Sequence, residues 1–145
     1  MTYTELRQKH QKEVNEFPLG FCFNKEQAKE MLSKWGLDWN CKDDLKKIIS
    51  IGHGGYMRKS DLPAWEEMTK RHQKELKDFK KQEKQFIDAI HYEMANYELI
   101  YAYDDSDVKK ALDLTDKDFR DPYIVACWNK ALKRYKKECY ENNSL

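Results

Sequence analysis

The run Gly52-His53-Gly54-Gly55 holds three of the chain's five glycines, and two cations, Arg58 and Lys59, follow it closely. Glycine turns supply positive φ angles and can aim successive backbone N–H groups at one point; beside cations, such a turn can hold an anion. The ligand this chemistry suggests is a phosphate or nucleotide held by His53, Gly54, Gly55, Arg58 and Lys59. The same residues also read as a plain β-hairpin. Ile48, Ile49 and Ile51 precede the turn and Tyr56 and Met57 follow it, residues that suit a pleated, half-buried surface. On a strand Arg58 and Lys59 point to opposite faces. One glycine-rich turn is a weak signal, which favours the hairpin reading over the anion site.

Charge marks two further stretches. Asp104, Asp105, Asp107, Asp113, Asp116, Asp118 and Asp121 lie within residues 104–121, and Lys130, Lys133, Arg134, Lys136 and Lys137 lie within 130–137. An acidic surface of this kind can imitate nucleic acid toward a basic protein, with Asp104, Asp105 and Asp107 as the binding residues. The simpler reading makes Asp105, Thr115 and Asp121 helix caps and leaves the other aspartates solvated. The net charge is only +1, so bulk charge predicts neither a nucleic-acid partner nor attachment to a membrane.

Catalytic patterns are missing. There is no Walker loop, no G-x-S-x-G elbow, no H-E-x-x-H and no C-x-x-C. Cys22, Cys41, Cys127 and Cys139 are widely spaced, and a zinc site from Cys22, Cys41 and His53 would lack metal-ligand spacing. No enzyme, cofactor or metal is expected. With no signal peptide and no apolar run near 18 residues, the chain reads as a soluble cytoplasmic protein with reduced thiols.

The elements that must position these residues follow from periodicity. A chain of 145 residues fits one domain, read as a helix and small-sheet part over 1–61 and a helical part over 62–145. Thr2 and Glu5 form a capping box ahead of a stripe of Tyr3, Leu6, His10, Val14 and Phe17, which Pro18 and Gly20 end. Residues 21–23 are extended. Asn24, with Gln27 three residues on, caps a helix whose buried face is Ala28, Met31, Leu32 and Trp35, and Gly36 closes it. Asn40 caps a short helix over 43–47, and strands over 48–51 and 56–59 follow.

No glycine or proline occurs from Ala64 to Asp121. One unbroken helix over 62–101 would be about 60 Å long, so Lys80-Lys81-Gln82-Glu83-Lys84 is the expected break. After it Phe86, Ile90, Met94, Tyr97 and Tyr101 form a buried stripe, with His91, Glu93, Asn96 and Glu98 as polar groups at the core's edge. Asp121-Pro122 opens the last helix, and the polar tail 141–145 frays. The fold class is α+β, mainly α: a helical domain with a small three-stranded antiparallel sheet in its N-terminal half. Its order is that of a winged helix. The short helix at the recognition position carries Asp43 and Asp44, which repel phosphates, so DNA binding is the weaker expectation.

Three phrases, Phe17-Pro18-Leu19-Gly20-Phe21-Cys22-Phe23, Trp35-Gly36-Leu37 and Gly52 to Asp61, resemble a family of small proteins of unknown activity from phages and prophages of Gram-positive bacteria. The resemblance covers most of the N-terminal half and reappears around Tyr92-Glu93-Met94-Ala95-Asn96. It carries over no activity, cofactor or site. It implies a setting, an accessory protein of a mobile element that binds and modulates a host protein, as an anti-CRISPR-like inhibitor of host defence would.

Overall fold

The computed structural model describes residues 1–102 and 104–143. Seven helices and one sheet are found there: α1 (Tyr3–Glu16), β1 (Gly20–Phe21), α2 (Lys25–Lys34), α3 (Lys42–Leu45), β2 (Ile48–Gly52), β3 (Gly55–Arg58), α4 (Leu62–Lys80), α5 (Glu83–Asn96), α6 (Ser106–Ala111) and α7 (Pro122–Asn143). The sheet is antiparallel with order β1-β3-β2. The fold is mainly helical with one small sheet, in the expected order. Two compact units are present, Met1–Arg7 with Lys74–Leu145, and Gln8–Gln73.

Local signals explain most boundaries. Thr2 and Glu5 exchange backbone-to-side-chain hydrogen bonds, each 3.2 Å, as a capping box. The Asn24 side chain accepts from the Gln27 N–H at 2.9 Å. At the other end of α2, Gly36 takes φ +69°, its N–H donates to Ser33 O, and the Leu37 N–H donates to Leu32 O. That is a Schellman motif, which favours a residue without Cβ. Asp121 Oδ1 accepts from the Tyr123 N–H at 2.9 Å, capping α7 behind Pro122.

Other boundaries differ from expectation. The first strand covers Gly20–Phe21, not 21–23, because the Phe23 N–H donates to Gln27 Oε1 at 2.8 Å and has left the ladder. The third strand ends at Arg58, and Lys59 enters a 3-10 turn. Cys41, not Asn40, stands at the cap of α3. Helix α5 stops at Asn96, and Glu98 turns left-handed at φ +48°, so Tyr97 and Tyr101 are exposed and not part of the buried stripe. Helix α7 continues to Asn143 through the expected frayed tail, while Ser144 and Leu145 lie outside the described residues.

Within the first unit α5 and α7 pack together. Their core includes Phe86, Ile90, Met94, Trp128, Ala131 and Tyr135, joined by Tyr3 and Leu6 of α1, Phe79 of α4 and Val108 of α6. The buried apolar residues of the second unit are Ala28, Met31 and Leu32 of α2, Met57 of β3 and Met68 of α4. In both units the buried side chains are mainly apolar, the usual solution for amphipathic elements, with Glu93 the buried charged group among the described residues.

Candidate functional site

The second unit brings the three resemblance segments together around its sheet. Gly20 pairs with Tyr56 and Phe21 with Gly55, and the Cys22 N–H donates to Gly54 O at 2.9 Å. The hairpin turn is His53-Gly54, flanked by the pair Gly52 and Gly55. Gly52, His53 and Gly54 all have positive φ, +88°, +53° and +77°. Positive φ at both central residues matches the twist of the flanking strands, so the glycines serve the turn directly.

Gly54 has a second duty. A Cβ placed there would run into the Phe23 ring, which lies across the turn. Gly20 is similarly covered: a Cβ there would stand 2.5 Å from the Met31 side chain and 2.9 Å from the Trp35 ring. The backbone of β1 at Gly20 therefore packs directly on the Met31 and Trp35 side chains. Beside this contact is a cleft of about 400 Å³. One wall is Gly20, Phe21 and Phe23, and the other is the α2 face of Gln27, Glu30, Met31, Lys34 and Trp35. A second cleft of about 380 Å³ shares Phe23 and Met31 and reaches Trp39, Ile48 and Tyr56.

Phe21 is 59% exposed and Phe23 77%. Two phenylalanines held out in water beside apolar clefts are the feature that sequence reasoning missed. Their i, i+2 spacing shows that an extended chain puts both on one side, but not whether that side meets core or solvent. The cleft's charges, Glu30 and Lys34, cancel.

The expected site residues fall as follows. His53 is exposed at the tip of the hairpin, Gly54 lies under Phe23 and Gly55 is buried. Arg58 sits at the opposite end of β3 from the turn; its Nε donates to Asp61 Oδ2 at 2.9 Å and its guanidinium lies 5.9 Å from the Trp35 ring centroid. Lys59 is exposed, and its N–H donates to Lys47 O. Geometry does not bring Arg58 to the glycine turn.

Asp104, Asp105 and Asp107 belong to the other unit. Asp104 Oδ1 accepts from the Ser106 N–H at 3.0 Å, and that bond holds its carboxyl below the usual range. Asp105 stands at the cap of α6 and pairs with Lys109 at 3.2 Å. Asp107 lies exposed in the first turn of α6. Asp118 accepts from the Thr115 N–H at 2.7 Å, which lowers its pKa. Of the basic run, Lys130 pairs with Glu83, and Arg134 with Asp88 and Glu138.

Two polar clusters have no single-sequence signature. In the first unit Glu93 is fully buried; its Oε1 accepts from Arg7 Nη1 and Asn96 Nδ2, each at 3.4 Å, and its Oε2 has no partner. Burial pushes the Glu93 pKa up. In the second unit His10 stacks on His72 with centroids 3.9 Å apart, while Glu13 accepts from His72 Nε2 and from Arg71 Nη2. The His72 and Arg71 bonds lower the Glu13 pKa. Among the described residues no group of three or more His, Cys, Asp or Glu could hold a metal ion, and no helix is long and apolar enough to cross a membrane.

Fold and site together define a mainly helical α+β protein whose small sheet carries an aromatic-edged cleft. The chain belongs to a family of unknown function, DUF7659, whose model matches residues 2–134. No curated protein and no solved structure matches it.

Proposed function

We propose that this protein works by gripping another protein with the cleft beside β1, not by catalysis. The observation that carries this reading is the exposure of Phe21 and Phe23 along one wall of the cleft. Aromatic side chains kept in water next to a preformed cleft are the usual anchors of protein recognition. The cleft's cancelling charges favour an apolar protein side chain over a phosphate backbone, whose affinity comes from unneutralised cations. In the setting implied by the sequence resemblance, the partner is a protein of a bacterial host and the protein acts in the host cytoplasm. Its binding modulates or inhibits that partner, as an anti-defence protein would.

The test is affinity purification from a host lysate with the natural chain and with a Phe21→Ser, Phe23→Ser variant. Both side chains are largely solvated, so the variant should melt within a few degrees of the parent. A host protein recovered with the parent and lost with the variant supports the reading. Identical recovery with both chains, or no specific partner, removes it.

A further inference from the structure

We infer that β2 is a self-pairing edge, so that two copies of this chain join their sheets through antiparallel β2–β2 contact. The ladder places the open edge. The Lys59 N–H donates to Lys47 O at 2.7 Å, and Ile49 pairs with Met57. Bonding alternates along an antiparallel pair, so Lys47 and Ile49 face β3, and Ile48 and Ser50 turn their N–H and C=O groups away from it. Among the described residues no strand lies beyond β2. Ser50 is exposed, and Ile48, Ile49 and Ile51 are half-buried.

Sheet edges are normally kept single by charge, proline or brevity. The other edge, β1, has only two residues. Strand β2 has five, Ile48-Ile49-Ser50-Ile51-Gly52, with no charge and no proline. The one guard is the irregularity between Ser50 and Gly52, which limits pairing to this segment without closing it.

The occupant that fits is a second β2. A two-fold axis through Ser50 sets Ile49 of one copy opposite Ile51 of the other, and the reverse. It puts the outward groups of Ser50 against each other, in a hydrogen-bonded pair. Ile49 and Ile51 then meet in the closer, non-hydrogen-bonded positions, where β-branched pairs stabilise a sheet. Lys47 lies before the strand and is already paired with Asp44 at 3.2 Å, so the paired segment itself carries no charge. The inference stands apart from the cleft beside β1, on the opposite edge of the sheet.

Sedimentation equilibrium of the full chain over a wide concentration range, with residue-resolved hydrogen exchange, tests it. The expected result is a dimer and slow exchange at the Ile48 and Ser50 amides that deepens as concentration rises. Ser50→Lys, which sets two ammonium groups at the axis, should give a monomer with an unchanged circular dichroism spectrum, and Ser50→Thr should remain a dimer. A monomer at every concentration overturns the inference. So does a dimer in which the Ile48 and Ser50 amides exchange freely, because its interface lies elsewhere; the exchange readout decides even if Ser50→Lys does not fold.

Discussion

The ring of Phe23 lies across Gly54 where a Cβ would have to be. This contact joins the segment after β1 to the hairpin between β2 and β3, and it fixes where the exposed aromatic stands. Gly54→Ala should therefore cost more than the about 1–2 kcal/mol that a left-handed φ imposes on an alanine. Gly36→Ala is the control, because Gly36 has a similar φ, +69°, with nothing within 4 Å of its Cβ position. Urea denaturation of both variants should show the larger loss at Gly54. In a Phe23→Ala background the two losses should become equal; a Gly54 penalty that ignores the ring would show that Phe23 moves aside freely.

Glu93 should make stability fall as pH rises. Its pKa is raised by burial, so the folded chain holds that proton more tightly than the unfolded chain does. Stability from this group is present below the ordinary glutamate range, about 4.3, and is lost as pH climbs through the folded pKa. Glu13 has the opposite sign, since His72 and Arg71 lower its pKa; its contribution is present above the ordinary range and lost in acid. Melting curves of Glu93→Gln and the parent should lie closest in acid, where the parent's carboxyl is protonated, and the parent should lose stability relative to the variant as pH rises. A Glu13→Gln series should diverge toward neutral pH, and a parallel offset at every pH would reject both assignments.

The Lys80 side chain is the fastening of α6 to α4. Its Nζ donates to Leu112 O at 2.9 Å and Asp113 O at 3.2 Å, at the end of a helix closed by a left-handed aspartate, φ +52°. Burial lowers its pKa, and Tyr123 donates its hydroxyl to Lys80 O at 2.8 Å. Lys80→Met keeps the stem and removes the donor. Bonds to charged groups contribute about 1.5–3 kcal/mol, and the helix-end carbonyls would lose their partner. A loss of about 1–3 kcal/mol in urea is expected; an unchanged midpoint would mean that water replaces the ammonium at no cost.

What the sequence disclosed and what it hid divide along one physical line. Signals that act over a few residues were legible: Asn24 with Gln27, Gly36 in its Schellman turn, the break at Lys80–Glu83, and Asp121 before Pro122. Tyr97 and Tyr101 kept the helical spacing of a buried stripe, but α5 stopped first, at a left-handed Glu98 with no glycine to announce it. The burial of Glu93 depends on Arg7, 86 positions away in sequence. The hairpin was readable as a hairpin. That Arg58 would turn to Asp61 and Trp35, and that Phe21 and Phe23 would face water, are consequences of packing that no local pattern encodes.

Polyanions should pass this surface by. A winged helix would meet DNA with the element at α3, but here that element is a single turn carrying Asp43 and Asp44. Asp44 accepts from the Asp38 N–H at 2.9 Å, which holds its carboxyl low, and it also pairs with Lys47. At the hairpin Arg58 is occupied by Asp61. A phosphate contact at Lys47 or Arg58 would first have to displace one of these carboxylates. Gel shifts with duplex DNA at low salt should therefore show no complex, and nucleotides or inorganic phosphate should not raise the melting temperature. Arg58→Ala should instead lower stability by about 1 kcal/mol, the sum of a modest ion pair and a cation–π contact. A complex whose affinity falls steeply with salt, and that vanishes when Lys46, Lys47, Arg58 and Lys59 all become alanine, would overturn this expectation. Stabilisation by a nucleotide that Arg58→Ala removes would return the glycine turn to the role of an anion site.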